Sequence, residues 1–313
     1  MKKFIMLCAV LLGVMIVTPL LSVSYSDEVI ENAMKANKAK NEYISVMKSE
    51  TGEKSEMQIR EYLIGCVAGE MNPEYHEEAL KAQAVAGYTF AQYIKNRDKG
   101  KPGADISDDS SIYQAYIDKA ARREKWKDNY EKYESSVEKA VDAVLGECIT
   151  YNGKPIMAVY FDKCSGMTES SENIWGRKVP YLVSVTSDGD KLSPELESDS
   201  EFTVDEFKDA FSKKSINFSS EKKLIGDIER FDSGVVKMIT VSSCEMAGTE
   251  FRSMLSLKSA DFSVETDENK VKITCRGNGH FVGMSQYGAD YMARQGSDYR
   301  EILAHYYPNT EIT

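Results

Sequence analysis

Between Met57 and Phe161 the chain changes its hydrophobic period once, and that switch limits the folds open to it. Met57, Leu63, Ile64, Val67 and Met71 recur at three- and four-residue steps, the spacing of one helical face. Asn72-Pro73 interrupts the run. Asn favours the cap before a helix and Pro its first position, so Asn72 is predicted to cap a second helix. Glu74, Glu77 and Glu78 then fall in a first turn, where the helix dipole favours acids. That helix continues through the alanine-rich stretch Leu80 to Ile94. A third is predicted over Tyr130 to Leu145, with Val137, Ala140, Val141 and Val144 inward and Gly146 as its stop. The pattern then becomes a hairpin: Cys148 to Tyr151 and Pro155 to Phe161 flank Asn152-Gly153, the favoured type I′ turn pair. Farther on, Tyr181 to Val185, Lys237 to Ser242 and Lys270 to Cys275 read as strands. Phe202 to Phe211, Glu250 to Leu257, Asp290 to Gln295 and Tyr299 to Tyr306 read as helices. With neither an internal repeat nor strict βαβ alternation, the expected class is α+β, its helices and short antiparallel strands forming a substrate cleft.

Charge and composition narrow the function. The 313 residues are 42% hydrophobic and 28% charged, which fits a globular body. A net charge of −11 without a basic stripe argues against nucleic acid, whose binding rests on neutralised phosphates. Phe4 to Val23 carries no charged residue and follows Lys2-Lys3. This length suits a membrane-crossing helix. It also suits a signal peptide cleaved near Ser22-Val23-Ser24. Either reading places the body outside the cytoplasm. The expected division is an anchor or signal at 1–24, a Lys- and Glu-rich, helix-permissive stalk or linker at 25–56, and an exported region at 57–313. Cys66, Cys148, Cys164, Cys244 and Cys275 form no Cys-x-x-Cys pair. They fit either one disulfide, Cys148 with Cys164, or buried free thiols.

Three segments could carry chemistry. Glu70 follows Ala68-Gly69 and closes the apolar helical face, so its carboxyl is expected to be partly desolvated and to hold its proton above the ordinary Glu range. Such a group suits proton donation to a leaving oxygen, and small neighbours on that turn would leave room for a bulky polymer. Ser165-Gly166-Met167-Thr168 and Trp175-Gly176 read either as a surface loop or as a sugar-contacting wall. Gly277 to Gly288 is Gly-rich and holds His280, Ser285, Gln286 and Tyr287, which could converge as donors and acceptors. Ser285 with His280 lacks the nucleophile-elbow pattern, and no Lys-Ser or Lys-Thr makes the loop a phosphate cradle. His76, His280 and His305 lack metal-ligand spacing.

Several blocks in the same order resemble the stage II sporulation protein D family, which includes amidase-enhancer proteins of bacterial cell walls. They are Glu61-Tyr-Leu-Ile-Gly, Val67-Ala-Gly-Glu-Met, Glu78-Ala-Leu-Lys-Ala-Gln-Ala-Val-Ala, Pro180-Tyr-Leu-Val-Ser-Val, Phe251-Arg-Ser-Met-Leu and Gly279-His-Phe-Val-Gly-Met-Ser-Gln-Tyr-Gly-Ala. The resemblance implies a membrane-anchored lytic transglycosylase that cleaves peptide-stripped glycan strands during forespore engulfment. Its partners would be an amidase/endopeptidase and a membrane scaffold, and it would need no cofactor. The catalytic acid falls on Glu70, with substrate contacts from Tyr88, Tyr181, Ser165, His280, Ser285, Gln286 and Tyr287. Two positions that are usually basic in the family are Tyr88 and Val183 here, which would strip positive charge from the groove. Asp108 to Gln114 has neither Cys nor His where some relatives carry a zinc cluster, so no zinc is expected.

The implied reaction needs one carboxyl group, which first gives and then regains a proton. A hydrolase would instead need a second carboxylate roughly 5–9.5 Å away. A reading of a different class is a glycan-binding protein that stimulates a cell-wall amidase without strong catalysis of its own.

Overall fold

The computed structural model describes residues 34–313 apart from 36, 100–102, 110, 111, 215, 217 and 219–222. The elements, in chain order, are β1 (Tyr43–Met47), β2 (Lys54–Gln58), α1 (Ile59–Glu70), α2 (Glu77–Arg97), β3 (Ile106–Ser107), α3 (Lys119–Trp126), α4 (Tyr130–Val144), β4 (Ile149–Tyr151), β5 (Lys154–Pro155), β6 (Tyr160–Phe161) and α5 (Ser171–Trp175). There follow β7 (Glu197–Thr203), α6 (Val204–Ala210), β8 (Ile225–Arg230), β9 (Val236–Val241), β10 (Cys244–Ala247), α7 (Gly248–Met254), β11 (Phe262–Thr266), β12 (Lys270–Arg276), β13 (Met284–Ser285), α8 (Gln286–Arg294), α9 (Tyr299–Tyr306) and β14 (Glu311–Ile312). The expected α+β class is what the described residues form.

Two hydrophobic cores organise these elements. The larger wraps α1 and α2, drawing in Ile44 and Val46 from β1, Val137 and Val141 from α4, and Val282, Ile302 and Tyr306 from the C-terminal part. Residues 59 and 62–68 of α1 are buried almost throughout, so this helix is a central strut. The smaller core packs Phe207, Phe211, Phe251 and Phe262 with Val236, Val271 and Ile273. Two three-stranded antiparallel sheets, β10-β9-β8 and β11-β12-β7, surround it. A third cluster, with Phe161, Cys164, Phe281, Val235 and Ala260, joins the lobes.

Several expectations change on contact with the structure. Residues 25–56 are not helical throughout: β1 and β2 pair from Tyr43↔Gln58 to Met47↔Lys54. Burial of Ile44 and Val46 outweighs the polar composition of the segment. His76, not Asn72, caps α2, its Nδ1 accepting from the Glu78 N–H at 3.3 Å. Asn72 Oδ1 instead accepts from the Glu74 N–H at 3.0 Å, so Asn72-Pro73 makes a turn before the helix. Tyr181–Val185 is no strand: its carbonyls bond a loop and a short helix, Leu182 accepting from the Ser171 N–H and Val185 from the N–H and hydroxyl of Thr168. The predicted helix from Phe202 starts at Val204, behind a capping box between Thr203 and Glu206. The Asn152-Gly153 turn has φ of 52° and 70°, as a type I′ turn requires, but its second arm is only Lys154–Pro155. Tyr160 and Phe161 pair in parallel with Met284 and Ser285.

The five described cysteines are free, so Cys148 and Cys164 do not pair. Among the described residues no helix is long and apolar enough to cross a membrane. Phe4–Val23, on which the anchor or signal expectation rests, lies outside them.

Beneath α1, the fully buried Arg122 guanidinium donates to Glu134 at 2.9 Å from both Nε and Nη2, and to Glu61 at 2.8 Å. A buried ion pair is costly to break from one side, because the remaining charge stays desolvated. Glu134→Ala is expected to cost about 3–5 kcal/mol in denaturant unfolding. Arg122→Met, which removes the buried cation itself, should cost clearly less than Glu134→Ala in the same assay.

Candidate functional site

Glu70 is the last residue of α1, and the segment 114–117 crosses the helix beside it. The crossing depends on a glycine. A Cβ on Gly65 would lie 2.3 Å from Tyr116 Cε2, inside any tolerable contact. The bare backbone lets Tyr116 stack on Tyr62, ring centroids 5.7 Å apart, and lets the Ile117 N–H bond to the Gly65 carbonyl at 3.2 Å. The Ala115 N–H is thereby delivered to Glu70 Oε1 at 2.6 Å. The small residues of this turn thus accommodate a crossing chain, whereas sequence reasoning assigned their space to the substrate.

Behind the carboxyl stands a buried polar relay. Gln114 donates to the Tyr62 hydroxyl and the Gly87 carbonyl, both at 3.2 Å, and accepts from the Tyr160 hydroxyl at 2.8 Å. Tyr160 and the Gln286 side chain lie beside Glu70. Because Tyr160 spends its single hydroxyl proton on Gln114, it offers Glu70 a lone pair that a protonated carboxyl can meet. Burial pushes the Glu70 carboxyl above its ordinary range, outweighing the Ala115 N–H, Gln286 and Lys125, which favour the charged form. The negative end of the α1 dipole acts in the same sense as burial.

Two open cavities of about 680 and 480 Å³ meet at Glu70, Phe161 and Gly279. The larger is polar, with Asn72, Lys125, Asp162, Asn278 and Gln286 around Trp126 and Tyr133. The smaller is aromatic, with Tyr93, Tyr113, Tyr160, Trp175 and His280. Gly279, at φ 120°, brings the Gly-rich loop against Phe161, where a Cβ would lie 2.6 Å from the Phe161 Cβ.

The structure sorts the sequence-predicted residues into two groups. Glu70, Gln286 and His280 border the cavities. His280 Nδ1 accepts from the Val282 N–H at 3.1 Å, and burial pushes its pKa down to about 4, so the ring is neutral near pH 7. It lies 5.8 Å from Phe161 and 5.4 Å from Trp175, which is 43% exposed. Tyr287 stands near the polar side, edge-on to Tyr75, with its hydroxyl on the Leu192 carbonyl at 3.3 Å. The others face elsewhere. Ser285 is fully buried, donates to Asp190 Oδ1 at 2.8 Å and caps α8, so it does not face His280 as a nucleophile. Ser165 donates to the Ser233 carbonyl at 3.2 Å, between the lobes. The Tyr181 hydroxyl accepts from the Met157 N–H at 3.0 Å, and its ring packs on Tyr151. Tyr88 donates to Glu42 at 3.0 Å, beside Gln92 and Lys95, outside both cavities. Val183 lines neither cavity. A basic residue missing at 88 or 183 therefore takes no charge from the cavity walls, where Lys125 and Arg97 stand.

Sequence reasoning missed Gln114, Tyr160, Lys125, Asp162 and Asn278. Each is polar and distant in sequence from Glu70, and no local pattern announces that the fold brings it there. Among the described residues no group of three or more His, Cys, Asp or Glu side chains is placed to hold a metal ion.

Fold and site together define an α+β protein whose open cleft is centred on one half-buried acid. Comparison with known proteins places it more closely. Residues 47–151, which include Glu70, Gln114 and Ala115, match the family model described as Stage II sporulation protein. Stage II sporulation protein D of Bacillus subtilis is 36% identical over 257 residues, covering 82% of this chain and 74% of that protein. The protein of the same name from Bacillus amyloliquefaciens is 35% identical over the same coverage. The amidase enhancer of Bacillus subtilis is 27% identical over 80% of this chain and 40% of its own length. The chain belongs to the stage II sporulation protein D family, which ties it to sporulation.

The raised Glu70 pKa has a thermodynamic consequence. A carboxyl that binds its proton more tightly when folded contributes stability that is complete below the unfolded value, about 4.3, and is lost as pH rises through the folded one. Glu70→Gln is therefore expected to melt a few degrees above the parent at pH 7, and the gap should close toward pH 4, as thermal unfolding at the two pH values would report.

Proposed function

We propose that this protein is a lytic transglycosylase that cleaves peptide-stripped peptidoglycan strands between N-acetylmuramic acid and N-acetylglucosamine during engulfment of the forespore. The observation that carries this reading is a single acid, its hold on its proton strengthened by burial, at the meeting point of two cavities large enough for sugar rings. The acid stands where the family resemblance puts the catalytic one.

The chemistry follows from one proton. Protonated Glu70 donates to the oxygen joining muramic C1 to the next sugar as the C1–O bond breaks. The resulting carboxylate takes the proton of the muramic 6-hydroxyl while that oxygen bonds to C1. The product is a 1,6-anhydro sugar, no water is consumed, and Glu70 ends as it began. The Ala115 N–H steadies the charged intermediate form, and Tyr160 and Gln114 hold the carboxyl in place. Asp162, the other acid of the polar cavity, accepts from Asn278 at 3.1 Å and faces Lys163 at 3.7 Å.

The same proposal puts the body outside the cytoplasm, held at the membrane by the apolar segment Phe4 to Val23, with an amidase/endopeptidase and a membrane scaffold as partners. A second reading, a glycan-binding protein that stimulates an amidase, draws support from the amidase enhancer among the relatives. Its other support, charge lost at Tyr88 and Val183, weakens because neither residue lines a cavity.

Product analysis on peptide-free glycan separates these readings. The full-length chain should generate anhydro-muramic ends, and Glu70→Gln should lower their rate by at least about 10²-fold. Because the protonated form starts the reaction, kcat/KM should hold above pH 4.3, the approximate ordinary Glu value, and fall as pH rises through the raised one. Reducing ends would instead mean hydrolysis. Amidase stimulation without new ends would favour the second reading.

A further inference from the structure

The direction of one hydroxyl proton decides which form of Glu70 its surroundings favour, and a neighbouring amide sets that direction. Tyr160 stands beside the Glu70 carboxyl. A phenol carries a single proton. It serves Glu70 either as a donor, which suits the carboxylate, or as an acceptor, which suits the protonated acid. The buried Gln114 amide lies between the Gly87 carbonyl and the Tyr62 hydroxyl, both at 3.2 Å, and the Tyr160 hydroxyl at 2.8 Å. A carbonyl only accepts, so the NH2 end must face Gly87. The amide oxygen is thereby turned to Tyr160, whose proton it takes. A flipped amide would set two acceptors against each other at Gly87 and leave buried groups unpaired, which is costly. Gly87 also keeps the amide's place, because a Cβ there would stand 3.0 Å from Gln114 Oε1.

The other groups near Glu70 do not contest this choice. Burial holds the Cys66 thiol and the Tyr62 and Tyr160 phenols far above their ordinary values, so none is charged at pH 7. The Ala115 N–H, Gln286 and Lys125 all favour the carboxylate. Asp162, in the larger cavity, is tied to Asn278 and Lys163. Tyr160 is the neighbour whose influence can take either sign. We propose that Gln114 is a positioning residue for the reaction: by drawing the Tyr160 proton to itself, it makes the Tyr160 oxygen an acceptor for protonated Glu70 and withholds that donor from the carboxylate. The inference rests on the proposed function for its place in catalysis. When Glu70 has given its proton to the glycosidic oxygen, the carboxylate finds no donor in Tyr160. It is then the stronger base for the proton of the 6-hydroxyl.

The test reads Glu70 directly, by 13C NMR titration of the full-length chain labelled at its glutamate carboxyl carbons. The Glu70 signal is identified by its loss in Glu70→Gln. In Tyr160→Phe the protonated form loses its acceptor, and the Glu70 pKa should fall by about half to one pH unit. In Gln114→Met the Tyr160 proton is free to turn to the carboxylate, and the fall should be at least as large. In the double variant the fall should match that of Tyr160→Phe alone, because Gln114 acts through that hydroxyl. A rise or no change in Tyr160→Phe overturns the proposal, a rise being what loss of a donor to the carboxylate would give. A rise in Gln114→Met also overturns it, since that is the sign expected if the amide merely holds the Ala115 N–H in place. Additive effects in the double variant overturn it as well. The high-pH limb of kcat/KM for anhydro-product formation should move down in the same order. The expected titration shifts without any anhydro product from the parent chain would overturn the enzymatic reading and leave this one standing.

Discussion

The hydrogen bond from the Ala115 N–H to Glu70 is the contact on which the cleft depends. A carboxylate at the C-terminal end of a buried helix is doubly disfavoured, by desolvation and by the helix dipole. Left without any donor it would swing toward water. One backbone donor at 2.6 Å keeps it in place, and burial still outweighs that donor in raising the carboxyl's hold on its proton. That donor arrives only because the chain can lie directly on α1 at Gly65, and because Gln114 is pinned at Tyr62, Gly87 and Tyr160. Position, proton affinity and access to both cavities thus come from one crossing.

How much of this was legible in the sequence depends on how local the signal is. The Gly146 stop and the Asn152-Gly153 turn are local, and the chain folds there as its pattern says; α1 is helical as read, but it has no single buried face, since Met57 lies in β2 and residues 62–68 are buried all round. Glu70 stood out because it closes an apolar face, a local fact with a long-range result. Asn72 misled because its residue type suits two jobs, a helix cap or a turn, and only the approach of Asp290 to the His76 N–H at 2.6 Å settles where α2 begins. Tyr181 lies between these cases. Its neighbours read as a strand, yet Pro180 precedes it and no partner strand runs alongside among the described residues. Tyr88 and Tyr181 were matched by block order, which carries no information about which way a side chain faces. Gln114, Tyr160 and Lys125 needed the fold itself.

Gln286 reaches Glu70 through a second, less visible construction. Asp190 is fully buried; it accepts from the Cys164 N–H at 2.9 Å and from the Ser285 hydroxyl at 2.8 Å, and the Cys164 thiol lies 2.8 Å away. Ser285 in turn caps α8, whose first residue is Gln286. Three segments distant in sequence are therefore held at one carboxyl, and Gln286 is aimed by that junction. The residues that sequence reasoning offered as sugar contacts in this loop divide by the same logic: Ser285 builds the frame, and Gln286 is what the frame presents.

The smaller lobe fits this picture as a long insertion that leaves the cleft intact. It departs at Leu196 and returns at Gly277, and those ends are bonded, Gly277 N–H to the Leu196 carbonyl at 2.7 Å. Glu197 pairs with Arg276 at the start of β7 and the end of β12, so the excursion leaves and re-enters as two adjacent antiparallel strands. Closing a loop costs only slowly more entropy as it lengthens, so such an insertion is tolerable if it supplies its own core. The packed phenylalanines of α6, α7 and β11, with Phe211, do that. What remains to be held is its orientation to the cleft. Ser233 donates to Glu169 at 2.6 Å, and Phe161, which borders both cavities, packs into the cluster that includes Val235 and Ala260. The lobe is thus fastened to the residue that joins the two cavities, and a displacement of one would be felt at the other.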